Sequence, residues 1–170
     1  TLEAVAAEAC ANKAGVWYHF GGKQGLLLAI AEGIIMRESG VYGRFPDEEA
    51  TLSERIDLII GSVGDADARV RRFRAFYELL TNASRNEALQ QYIRASYQSW
   101  YDWATSVISP SMPADSGGKQ QAAAIARFAS LLLDGIFVEM IIAAPGFDSD
   151  IAWSQMRVVL KYLASVSTAY

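Results

Sequence analysis

The sequence predicts an all-α chain. Apolar residues recur at helical spacing in nearly every segment. No segment alternates with a period of two and β-branched residues, so a sheet is not expected. The breaks between periodic segments fall on clusters of Gly, Pro and Asn, which are turn formers. With 170 residues, 52% of them hydrophobic and 20% charged, the chain is long enough to bury a substantial core and too apolar to be disordered.

The elements follow in order. Thr1 is an N-cap type of residue, after which Leu2, Val5, Ala6 and Ala9 fall on one helical face. Cys10-Ala11-Asn12 forms a short break, and Lys13–Phe20 reads as a second, short helix ending in Trp17-Tyr18-His19-Phe20. A third helix is expected from about Lys23 to Glu38 on Leu26, Leu27, Ile30, Ala31 and Ile34, then a loop at Ser39–Asp47 with Gly40, Gly43 and Pro46. Leu52, Ile56, Ile59, Ile60 and Val63 predict an amphipathic helix ended by Gly64-Asp65. Val70, Phe73, Phe76, Tyr77 and Leu80 predict the next, with Arg69, Arg71, Arg72 and Arg74 as a solvated face and a turn at Asn82–Asn86. A long helix spans Glu87–Ile108 and stops at the Pro-rich stretch Ser109–Gly118. Two further helices, near Lys119–Ala144 and Ile151–Thr168, are split by Pro145-Gly146.

Charge and composition narrow the function. Fifteen Lys and Arg against nineteen Asp and Glu give a net charge of −4. That excludes a wholly basic nucleic-acid binder and leaves room for a local DNA-contacting patch. One Cys and one His cannot form an internal disulfide or a zinc site, and a reducing cytoplasm is the simplest compartment. No metal or cofactor is expected. The most apolar stretch, Leu131–Ala144, is interrupted by Asp134 and Glu139 and falls short of the roughly 18 residues of a membrane span. Without a phosphate-cradling or metal-spaced motif, an enzyme is not expected.

Two short helices joined by a tight turn match the helix-turn-helix layout, whose second helix enters the major groove. The residue types say more than the spacing. Thr1, Val5, Ala6, Glu8, Ala9, Lys13, Val16, Tyr18, His19, Phe20, Lys23, Leu26 and Leu27 stand in an ungapped register that resembles the DNA-reading segment of the TetR family of bacterial transcriptional repressors. The resemblance implies a helix-turn-helix reader on a helical body that senses a ligand and dimerises. Residues 1–38 would be the reader with its connecting helix, lacking the first helix that precedes this segment in the family. Residues 39–170 would be the effector-binding and dimerisation domain. Thr1, Asn12, Lys13, Ala14, Gly15, Trp17, Tyr18, His19 and Lys23 are the DNA-facing candidates. Asn12 would cap the second helix and reach phosphate or base edges, the small residues Ala14 and Gly15 would admit close approach, and Lys23 would open a helix whose N-terminus favours a phosphate. His19 packs or caps the helix on the simpler reading, and Phe20 is expected in the core. Cys10 stands where the family usually has Gly in a turn of positive φ, at a cost on the order of 1–2 kcal/mol, and reads as an inert thiol. Gly15, Gly21, Gly22 and Gly25 are expected to loosen their segments.

In the body, Tyr92, Ile93, Tyr97, Trp100, Tyr101, Trp103 and Val107 form one broad apolar arc. Such an arc fills a core or lines a cavity; the resemblance favours a cavity for a small effector. Phe73, Phe76, Tyr77, Tyr97, Trp100, Tyr101, Trp103, Asp134 and Phe137 are the ligand-binding candidates. Asp134 and Glu139 would complement a cationic ligand, or more simply serve as paired or interface-rim acids. The Lys119–Ala144 helix is apolar or small almost all round, so a second copy is expected to cover the face its own core does not. Ala124, Leu131, Val138, Val159 and Tyr162 are the interface candidates. This part loosely resembles the BetI-type effector domains through Phe76, Leu89, Trp100 and Asp134-Gly135. The expected function is a repressor that a small-molecule effector releases from double-stranded operator DNA, acting as a cytoplasmic homodimer with no membrane partner. The alternative is a helical sensing or scaffolding dimer that does not read DNA.

Overall fold

A computed structural model describes residues 1–39, 44–61 and 66–166. Among them are eight α-helices: α1 (Leu2–Glu8), α2 (Lys13–Phe20), α3 (Lys23–Ser39), α4 (Leu52–Gly61), α5 (Ala66–Ala83), α6 (Glu87–Ile108), α7 (Ser116–Ile142) and α8 (Ser149–Ser165), with a 3-10 turn at Ser109–Ser111. The regular elements of the described residues are all helical, as expected.

Side-chain caps set most of the starts, because the first four N–H groups of a helix have no partner within it. Thr1 Oγ1 accepts from Ala4 N–H at 3.2 Å, Asn12 Oδ1 from Gly15 N–H at 2.6 Å, and Asn86 Oδ1 from Leu89 N–H at 3.2 Å. Before α4, Thr51 and Glu54 form a reciprocal capping box: Thr51 N–H donates to Glu54 Oε2 at 2.7 Å and Glu54 N–H to Thr51 Oγ1 at 3.3 Å. Two boundaries move for the same reason. Asp115 caps α7, accepting from Gly118 N–H, so that helix starts at Ser116 instead of near Lys119. Asp148 caps α8, accepting from Ile151 N–H, so that helix starts at Ser149 instead of Ile151. The helix α5 runs on to Ala83 and shortens the expected turn. Gly40, Gly43, Val63, Gly64-Asp65 and Thr168 lie outside the described residues, as does the side chain of Arg69.

The larger core lies between α6 and α7. Trp103, Ala104, Val107 and Ile108 meet Ala122, Ile125, Ala126 and Ala129, with α4 adding Ile56, Ile59 and Ile60 and α8 adding Met156 and Leu160. Each fully buried Ile or Leu there contributes about 1.5–3 kcal/mol, so this core dominates stability. A smaller core joins α3 to α5 and α6 through Ala31, Phe76, Leu79, Leu89 and Ile93.

The opening helices differ in part from expectation. Phe20 is partly exposed instead of core, and Val5 on α1 is exposed, leaving Ala6 as the buried residue of that helix. Two of the four glycines have a definite structural place: Gly21 ends α2 in the left-handed conformation at φ 67°, where a side chain is disfavoured. At Gly25 a Cβ would sit 1.7 Å from the Phe20 carbonyl oxygen, so only glycine lets the end of α2 press on the first turn of α3. Cys10 has φ 51°, the left-handed turn that the resemblance implied.

Candidate functional site

The helix α2 is held by one buried residue, Val16, while Lys13, Ala14, Trp17, Tyr18 and His19 are exposed and Gly15 is half-buried. Tyr18 is 84% exposed, an unusual position for a large aromatic. Its ring edge meets His19 at 5.4 Å. Trp17 lies over Gly22, where an added Cβ would come within 2.7 Å of the indole. Lys13 Nζ is ion-paired with the Glu3 carboxylate of α1, which holds the Glu3 carboxyl below the usual range. The side-chain oxygen of Asn12 caps α2, and Thr1 caps α1. Lys23 is exposed where α3 begins. The structure thus gathers the DNA-facing candidates around an exposed short helix and its flanks.

A second cluster lies between α5, α6 and α7. Phe73 and Phe137 stack at 3.7 Å and 14°, Phe76 meets Tyr97 at 6.1 Å, and Tyr97 meets Tyr101 at 6.0 Å. Asp134 sits among them. Tyr97 Oη donates to its carboxylate at 3.2 Å, and Tyr77 Oη to its main-chain oxygen at 3.1 Å or its carboxylate at 3.4 Å. Burial raises the Asp134 carboxyl above its usual range, while the two hydroxyls work against that. Both tyrosines are shifted upward, by burial first and then by the carboxylate, so they remain protonated donors.

The nine ligand-binding candidates separate only in part. Phe73, Phe76, Tyr77, Tyr97, Asp134 and Phe137 share one cluster, with Tyr101 at its edge under the Arg127 guanidinium, 4.2 Å from the ring centre. Trp100 and Trp103 pack in the larger core, to which Phe137 also belongs and against which Phe73, Tyr77 and Tyr101 rest, and Trp103 Nε1 donates to the Arg44 carbonyl at 3.1 Å. Trp153 of α8, which sequence reasoning passed over, meets Phe137 at 5.8 Å; its spacing from Met156 and Leu160 was the available signal. Glu139 lies elsewhere, lining an open groove of about 450 Å³ with Val70, Met140 and Phe147. Among the described residues no group of His, Cys, Asp and Glu is placed to hold a metal ion.

The Asp134 environment gives a pH dependence. The unfolded carboxyl loses its proton first, so between the ordinary and the raised value the folded chain holds the extra proton. Stability therefore falls as pH climbs through that window and levels off above it. Asp134→Asn should flatten this part of the profile, read by urea unfolding in steps from about pH 4 to 7. An unchanged slope would show that another group sets it.

Four of the five interface candidates are exposed: Ala124, Leu131, Val138 and Tyr162, with Leu131 at 61% and Tyr162 at 65%, and Val159 is half-buried. Phe128, Ile142, Ile151 and Val158 are exposed beside them. On α7 the stripe 124, 128, 131, 135, 138, 142 steps by alternating four and three, the spacing of a helix seam.

Residues 52–166 match the family model described as the C-terminal domain of BetI-type transcriptional repressors, which is more than half of the chain. The chain belongs to the TetR family of transcriptional regulators. A crystal structure from Rhodococcus sp., described as a TetR-family transcriptional regulator, has the same fold as this TetR-family chain. The two superpose with a TM-score of 0.70 at 18% identity, over 97% of this chain and 87% of that one. No curated protein sequence matches the chain. Among the described residues of this regulator no helix is long and apolar enough to cross a membrane.

Proposed function

We propose that this regulator is a repressor that grips operator DNA with α2 and is released by a small effector bound in its body. The observation that carries the reading is α2 itself, a short helix with a continuous exposed edge from Lys13 to His19. In this reading residues 1–38 form the reader and 39–170 the sensing and dimerisation part. Ala14 and Gly15 admit the groove wall, Lys13 and Lys23 meet phosphates, and Trp17, Tyr18 and His19 lie along the backbone. The effector site is the Asp134 cluster, whose carboxylate and two tyrosyl hydroxyls would orient a ligand against the surrounding rings. The exposed seam of α7, with α8 beside it, would pair with a second copy across a twofold axis, so that two α2 helices meet successive major grooves. Because an effector shifts the equilibrium only by its differential affinity for the two forms, the reader must be mechanically tied to the body.

Gel shifts against duplexes enriched from a random library test the reading. Lys13→Ala and Lys23→Ala should each weaken binding evenly across sequences and lower the salt slope by about one. The Lys13 effect should be the smaller, since Glu3 already competes for that ammonium. Equal affinity for enriched and random duplexes would favour the alternative, a sensing or scaffolding dimer that does not read DNA.

A further inference from the structure

The smaller core joins α3 to the body through Leu27, Ala31 and Ile34 against Phe76, Leu79, Leu89 and Ile93. Apolar contacts of this kind are non-directional, so they hold α3 against α5 and α6 without fixing its axial position. Direction comes from polar contacts at the end nearest α2. Asn86, 7% exposed at the α5–α6 corner, uses both ends of its amide. Its Oδ1 caps α6 by accepting from Leu89 N–H, and its Nδ2 donates to the Gln24 carbonyl in the first turn of α3 at 3.2 Å. Gln24 Nε2 answers across the joint to the Arg85 carbonyl at 3.5 Å. The first turn of α3 is in turn pressed against the end of α2, because Gly25 lets the Phe20 carbonyl approach and Gly21 donates back into α2 at Trp17.

We propose that Asn86 is a positioning residue: its amide fixes the axial setting of α3 on the body, and through the α2–α3 corner it sets where the exposed helix α2 points. Only the consequence for operator binding rests on the DNA-reading assignment; the joint itself does not. The chemistry of asparagine allows the two roles to be separated. Asn86→Asp keeps an acceptor for the cap, with a charge suited to a helix N-terminus, but has no N–H for Gln24 and turns that contact into an opposition of two acceptors. Asn86→Ser also caps but is too short to span the joint.

The measurement uses the one cysteine of the chain, Cys10, exposed in the turn before α2. A second label goes on α6 through Ala95→Cys, at an exposed position. Doubly labelled chain, diluted into excess unlabelled chain, reports the distance from reader to body by pulsed electron spin resonance. The native chain should give one narrow distance. In Asn86→Asp and Asn86→Ser the distribution should widen about twofold as α3 gains a second setting, while helical ellipticity stays near native because the cap survives. A distribution as narrow as native in both variants overturns the proposal. Loss of helix in both also overturns it, since Asn86 would then act through its cap alone. A widened distribution with unchanged gel shifts would keep the joint and discard the DNA reading.

Discussion

Replacing Arg55 by methionine is expected to lower the unfolding free energy by about 3 kcal/mol, the largest single loss of any polar residue in the body. Arg55 is 4% exposed and faces carbonyl oxygens. Its Nε donates to Ala50 at 3.0 Å, Nη1 to Val107 at 3.2 Å, and Nη2 to Asp47 at 3.2 Å and Glu48 at 2.9 Å. Val107 lies in the last turn of α6, where carbonyls have no partner along the helix and the helix dipole is negative. The guanidinium therefore fastens the segment before α4 to the end of α6 and satisfies several acceptors at once. Methionine fills similar volume but donates nothing: the buried Val107 carbonyl loses this donor, as do those of Ala50 and Glu48, while the Asp47 carbonyl keeps the Ala50 N–H. Desolvation of the cation offsets part of the gain from each bond, which is why the loss falls well below the sum of four charged hydrogen bonds. Arg55→Lys, with one compact ammonium on a flexible stem, should recover only part of it. Urea unfolding followed by far-ultraviolet ellipticity decides the matter: a midpoint within error of native for Arg55→Met would mean that the loop carbonyls find water readily and that Arg55 is dispensable.

Arg55 also shows where sequence reasoning stops. The helix there was legible from Leu52, Ile56, Ile59 and Ile60, and Arg55 stands on the same arc, three residues after Leu52 and four before Ile59. A cation inside an apolar arc was the available signal, but charged residues are rarely buried, so periodicity alone sends it to solvent. The same holds for Gln121, buried on α7, whose Nε2 reaches the Leu163 carbonyl at 2.9 Å and the Val166 carbonyl at 2.7 Å to close the end of α8, and for the Nδ2 of Asn86. These partners are 42, 45 and 62 positions away, and no local pattern encodes them. What was legible is local. Thr1 and Asn12 cap the helices they precede, α6 spans Glu87–Ile108 as its arc implies, and the exposed edge of α2 follows from a helix with one buried apolar residue. The steric role of Gly25 was not legible, because it is set by the carbonyl that approaches it, which only the packed corner reveals. The aromatic arc of α6 was legible as apolar, but its division between the Asp134 cluster and the Trp103 core depends on which neighbour each ring meets.

The second large effect concerns the α7 seam. On the twofold pairing proposed above, Leu131→Glu combined with Val138→Glu is expected to leave the chain monomeric and to lower its affinity for a two-half-site duplex by about a hundredfold or more. A second reader tethered on the same dimer raises the effective concentration at the neighbouring half-site, and a monomer loses that gain. Both side chains are exposed in the single chain, so two carboxylates there leave α7's inner face, with Ile125, Ala129, Leu133 and Phe137, undisturbed. Helical ellipticity and the melting of the monomer should therefore change little, apart from whatever stability association itself contributes. Across a twofold axis each substitution is presented twice, and like charges brought together in a desolvated seam oppose association strongly. Gly135, whose missing side chain meets no heavy atom within 4 Å, leaves room between the two positions for close approach of a facing helix. Sedimentation velocity separates the outcomes. A variant that still sediments as a dimer would place the twofold contact elsewhere on the body, and a dimer lost without any loss of operator affinity would mean that one α2 helix suffices to read DNA.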